Sequence, residues 1–157
     1  MSIEISNETS VDMDLDEVRK LARFVLDSLW VHPEAEVGIT LVDEEASARL
    51  HVEWMDLEGP TDVMSFPMDE LTPGTPGNVS SAGMLGDIVI CPEVAKQQAQ
   101  AGGHSYLDEV LLLTTHGLLH LLGFDHEEAE EREEMFSLQR ELLEKHLGRP
   151  APKETIA

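Results

Sequence analysis

Three histidines fall within the eleven residues HGLLHLLGFDH, 116 to 126. His116 and His120 are four apart, an offset of about 40° around a helix, so both imidazoles leave the same face. Gly123 ends that helix and turns the chain, which brings His126 back within reach of the other two. Three imidazoles with one open position make a catalytic type of zinc site, and no cysteine is nearby to close the shell as in a structural one. The plainer alternative is a set of buried histidines held by backbone carbonyls. The spacing also matches H-E-x-x-H-x-x-G-x-x-H proteases, Gly123 included. Those enzymes carry a glutamate general base after the first histidine, and here that position is Gly117. Glycine has no proton acceptor, so a peptidase is the weaker reading. Two carboxylates are candidates to act near the histidines. Glu109 lies seven residues before His116, about 20° around the helix, although a partly exposed helix charge is the simpler role. Asp125 neighbours His126 and either orients an imidazole from behind or caps the turn.

The elements that must hold these residues follow from periodicity. The segment from Ser105 to Leu122 is apolar nearly all round, as expected of a helix in the middle of a domain, with Ser105 and Asp108 as a capping box and Gly123 as its stop. Helices are also predicted over 14–30, over 43–55 with Ala46, Leu50 and Trp54 on the apolar side, from Pro92 to about Gln100, and over about 127–147. Strands are predicted over 1–6, 36–42, 62–66 and 84–90, the last interrupted by Gly86. The Pro/Gly/Ser-rich stretch 68–83 reads as a loop and the best candidate for a mobile segment. These elements make an α+β fold, a small mixed sheet packed with helices around a central buried helix. One metal-hydrolase domain is expected over 1–148, with a flexible C-terminal tail over 149–157.

Composition narrows the function. The 157 residues, 41% hydrophobic, suffice for one domain with a real core. The chain opens on an acidic, polar stretch with no basic and apolar leader, so no signal peptide is expected. Apolar runs are too short to span a membrane. The single cysteine, Cys91, excludes an internal disulfide, fits a reducing compartment, and reads as a small buried hydrophobe. The 32 acidic and 10 basic side chains give a formal net charge of -22, which argues against loose nucleic-acid binding through a basic surface. EEAEEREE, 127 to 134, reads as a solvated helix face.

HGLLHLLGFDH, together with PTDVMSFP (60 to 67) and LGDIVI (85 to 90), resembles the YbeY endoribonuclease family, from about Ile39 to the last helix. The resemblance implies a zincin-like fold and one zinc ion on His116, His120 and His126. It implies metal-dependent cleavage of single-stranded RNA, in maturation of the 16S rRNA 3′ end and ribosome quality control, in the bacterial cytoplasm. Small-subunit rRNA is then the expected partner, with no membrane and no DNA. The chain departs from the family pattern at His51, where an asparagine is expected, and at Met55, where an arginine that could clamp a phosphate is expected. Arg49 is the nearest basic residue and reads as a surface charge. Thr61, Asp62 and Ser65 would wall a groove beside the metal, and Asp87 is a carboxylate inside an apolar strand in need of a partner; structural roles are the simpler reading for all four. Two other functions stay open: a metallopeptidase, and a non-catalytic ribosome-assembly factor stabilised by its metal.

Overall fold

The computed structural model describes residues 2–154; Met1, at the head of the first predicted strand, and residues 155–157 of the predicted tail lie outside the described residues. The chain runs β1 (Ser2–Asn7), α1 (Leu15–Ser28), β2 (Glu36–Leu41), α2 (Glu44–Met55), β3 (Val63–Pro67), β4 (Met84–Ile90), α3 (Pro92–Gly102), α4 (Tyr106–Leu121) and α5 (Ala129–Leu147). Among the described residues, these nine elements fall within about two residues of the predicted bounds. The fold is α+β.

The sheet order is β1-β2-β4-β3. β1, β2 and β4 are parallel, and β3 joins the edge antiparallel to β4, with Ser65 opposite Ile88. A register shift between Glu36 and Val37 lets β4 slip one residue just before Gly86. Parallel strands need crossovers, and α1 links β1 to β2. Helices α1 and α4 pack on the sheet, and α3 and α5 pack on α4.

α4 is the centre of this arrangement. Every residue from Asp108 to Leu119 is buried, and Leu111, Leu112, Leu113 and Leu118 are among the largest fully buried side chains. Truncating any one of these leucines to alanine would cost about 2–5 kcal/mol, so the helix that carries His116 and His120 is fixed by the core itself. Ser105 Oγ accepts from the Asp108 backbone N–H at 3.1 Å and caps its start. At its end, the N–H groups of Gly123 and Phe124 reach the carbonyls of His120 and Leu119, and Gly123 sits at φ 98. That Schellman pattern needs a left-handed residue, which glycine supplies without strain.

Two expectations change, those for α2 and for the loop 68–83. Ala46, Leu50 and Trp54 do not form a buried side of α2: its one buried residue is Ser47, and Trp54 is 63% exposed. Ser47 ties α2 to the backbone of Thr61 and Trp54 meets Phe66 of β3 edge to face, without an apolar stripe buried on the sheet. The loop 68–83 is anchored: Gly74 and Ser80 donate backbone N–H groups to the carbonyls of Leu29 and Trp30, Asp69 accepts from the Met84 N–H, and Leu71 is buried in the core. Within 149–154, Arg149 makes a bidentate ion pair with Asp108 at 2.8 Å, Ala151 packs on the core, and Glu154 pairs with Arg140. Cys91 is buried, as its composition suggested, and burial pushes its thiol pKa up.

Candidate metal centre

The face of α4 and the turn after it bring three imidazoles together. The ring centroids of His116 and His120 are 4.6 Å apart, those of His116 and His126 5.1 Å, and those of His120 and His126 5.2 Å. One ligand nitrogen from each lies within 4.8 Å of the others, close enough to share one ion. Phe136 of α5 closes one side, 6.0 Å from the His116 ring and 5.7 Å from that of His126.

The electrostatics suit a cation. Burial, then the neighbouring imidazoles, pushes the pKa of His116 down to about 3, against a weaker opposing hydrogen bond from Gln139. Burial also lowers that of His120, with Asp125 and the Phe124 carbonyl pulling the other way. Both rings are therefore neutral near pH 7, the protonation state that ligates a metal. His116 Nδ1–H donates to Gln139 Oε1 at 3.0 Å, which leaves Nε2 with its lone pair for the ion. Gln139 is fully buried, and its Nε2 has no hydrogen-bond partner. A glutamine in that setting acts as an acceptor that sets one imidazole's tautomer. The residues present fit a metal ion.

The histidines open onto a cavity of about 340 Å³ whose other walls are the end of α2 and β3. His51 and Met55 line it, and so do Thr61, Asp62 and Ser65. Ser47 stitches α2 to the segment that leads into β3: its Oγ accepts from the Thr61 N–H and donates to the Thr61 carbonyl, both at 3.1 Å. Asp62 is buried and anchored, with Oδ1 accepting from the Val63 N–H at 2.7 Å and from the Thr61 hydroxyl, and Oδ2 from the Gln98 amide. Ser65 donates to the Gly117 carbonyl at 3.4 Å, tying the β3 wall to the ligand helix. His51 donates from Nδ1 to the Gly59 carbonyl at 2.9 Å.

Other predicted residues sit elsewhere. Glu109 is not a partly exposed charge: it is fully buried, 2.5 Å from Nε2 of His104, and is not among the residues lining the histidine cavity. Seven residues along a helix is about 10 Å of rise, so its shared angular position does not bring it to the three imidazoles. Asp125 caps its turn, its Oδ1 accepting from the His126 N–H at 2.7 Å. Asp87 is half-buried on β4, packed against Gly38, where an added Cβ would fall 2.4 Å from Oδ1. Gln139 was missed, because nothing in the local sequence distinguishes it from the other polar residues of α5.

Gly117 has a packing reason. A Cβ there would lie 2.9 Å from Cγ2 of Ile88 and 3.1 Å from its Cδ1. The position after the first histidine thus faces β4, and its bareness lets α4 lie close on the sheet.

A small α+β domain with three imidazoles converging at the end of a groove defines a candidate metalloenzyme. The family model for Endoribonuclease YbeY matches residues 3–147. The chain belongs to that family. It is 62% identical over 157 residues to Endoribonuclease YbeY of Renibacterium salmoninarum, covering 100% of both chains, and 60% identical over 156 residues to that of an Arthrobacter species, covering 99% of both. Among solved structures it is similar to the solution structure of TM1509 from Thermotoga maritima, with a TM-score of 0.65 and 26% identity over 93% of this chain and 89% of that one.

Proposed function

We propose that this protein is a zinc-dependent endoribonuclease that cuts single-stranded RNA, acting in the cytoplasm on the 3′ end of 16S rRNA in the small ribosomal subunit and in ribosome quality control. The observation that carries this reading is the convergence of His116, His120 and His126 on one point at the base of the groove, in a chain whose relatives are named endoribonucleases. Residues 1–148 are taken as one zincin-like metal-hydrolase domain, with 149–157 as its tail. No described helix is long and apolar enough to cross a membrane, which is compatible with this setting.

Zinc on the three imidazoles would supply Lewis-acid chemistry, polarising a phosphoryl oxygen and lowering the pKa of water. The chain's own residues do the rest. Gln139 fixes the His116 tautomer, and the α4 core keeps two ligands rigid. The Ser47 and Ser65 contacts hold the β3 wall at a set distance from them, so that a bendable single strand can lie along it. Asp62 is the sole carboxylate among the described lining residues, and its oxygens already accept hydrogen bonds from three donors of the protein. Gly117, packed on Ile88, leaves no position for a protease-like glutamate, which counts against the peptidase reading.

The test incubates zinc-loaded protein, and its His116→Ala/His120→Ala version, with single-stranded RNA, duplex RNA and an unfolded protein. A single-strand cut lost in the variant is the expected result. Proteolysis would replace this reading with a metallopeptidase, and equal background with retained ribosome binding would replace it with an assembly factor. The product termini identify the nucleophile: a cyclic phosphate or its hydrolysis product marks attack by the 2′-hydroxyl, and its absence marks water.

A further inference from the structure

Beside the histidine cavity lies a second, larger groove of about 830 Å³, on the side of the sheet where α2 leaves its apolar residues uncovered. The two grooves share Met55, Ser65 and Pro67, so one runs into the other. The second is lined by Trp54, Phe66 and Met68, with Thr40, Val42 and Val89 of the sheet region beneath. Trp54 is 63% exposed and Met68 60%, in a chain with only two tryptophans. Trp54 is held in place rather than loose: its ring meets Phe66 edge to face, with centroids 6.0 Å apart and planes at 68°.

The charge around this ring is as informative as the ring itself. The groove's charged lining residues are Glu8 and Asp87, and neither groove has a lysine or arginine among its described lining residues. Phosphates are therefore repelled from the apolar groove, and the usual electrostatic part of RNA affinity is missing here. A nucleobase is suited to it: it offers an aromatic face to Trp54 and, at its edge, N–H donors to carboxylates.

We propose that Trp54 is the stacking platform of a nucleobase subsite, which holds a base of single-stranded RNA next to the nucleotide at the histidine cluster. This rests on the endoribonuclease reading for its substrate, but base stacking can be observed without cleavage. Affinity at the subsite comes from stacking rather than from neutralised phosphates.

The test uses the full chain with Trp30→Phe, which leaves Trp54 as its one tryptophan. Metal-free protein is titrated with a single-stranded RNA oligonucleotide and with an abasic oligonucleotide of equal length. The RNA quenches Trp54 fluorescence, the abasic strand does not, and the midpoint moves little with added salt. In the zinc-loaded protein, Trp54→Ala raises KM roughly 10-fold with kcat nearly unchanged, and Trp54→Phe restores most of the loss. Equal quenching by both strands, or an unchanged KM in Trp54→Ala, overturns the subsite. Quenching by an unfolded polypeptide and not by RNA overturns it in favour of a protein-binding groove. Quenching by RNA in a protein that cuts no RNA upholds the subsite and removes the nuclease reading instead.

Discussion

His116 donates its Nδ1 proton to Oε1 of Gln139 across 3.0 Å, a contact between two buried side chains 23 positions apart. The bond leaves Nε2 of His116 as the nitrogen with a free lone pair, the one a metal ion would take. Gln139→Leu keeps the volume and removes the acceptor. Zinc affinity, measured by competition with a chelator, should fall about 10- to 100-fold, the usual cost of losing such an orienting partner. Gln139→Glu supplies a stronger acceptor and should bind zinc at least as tightly as the parent.

Occupancy of the three imidazoles should be visible in stability. Zinc at about 100 times its Kd adds roughly 2.7 kcal/mol, which for a domain of this size raises Tm by about 5–10 °C. His126→Ala, a change outside the core helix, should lose most of that rise while leaving the Tm of the metal-free protein close to the parent's. An unshifted Tm in the parent, with no zinc by elemental analysis, would remove the metal site.

Gly117→Ala gains helix propensity of about 1 kcal/mol but drives a methyl group onto Ile88, a buried β-branched side chain with little freedom to turn away. Overpacking should win, with a net loss on the order of 1–2 kcal/mol by denaturant unfolding. Adding Ile88→Val should recover part of it. Stabilisation by Gly117→Ala alone would show that α4 and β4 can move apart.

Asp108 and Arg149 give the fold an acid-sensitive contact. The guanidinium holds the Asp108 carboxyl below its usual pKa, so the pair contributes fully above the unfolded carboxyl pKa and is lost as pH falls through the lower, folded value. Arg149→Gln should lower Tm at pH 7, and the gap from the parent should close as the pH is taken below the usual carboxylate range. A gap that stays constant with pH would show that the arginine acts through packing.

The sequence carried the elements and the three histidines because both depend on local spacing. The i, i+4 pair and the glycine stop need only helix geometry, and Leu111 to Leu113 announce burial on every side. Gln139 was invisible because its role comes from the packing of α5 against α4, a contact no local pattern encodes. Glu109 was misplaced for a related reason. Its angle on the helix wheel matched that of His116, but the wheel omits rise along the axis and the nearness of His104 at the helix start. α2 misled through its periodicity: Ala46, Leu50 and Trp54 have the spacing of a buried stripe, yet Leu50 and Trp54 line an open groove on the sheet, and Trp54 meets Phe66 edge to face while staying 63% exposed.

His126 is the one imidazole of the three that stands outside α4, on the turn that Gly123 opens and α5 ends. An ion would tie that turn to the helix, and without one the turn is held mainly by its own backbone hydrogen bonds and the Asp125 cap. Glu127 and Glu128, both exposed, follow directly. A glutamate-specific protease should therefore nick the chain there more readily after chelation than in the zinc-loaded protein. The length of the resulting fragments would give a readout of the metal state that needs neither RNA nor catalysis.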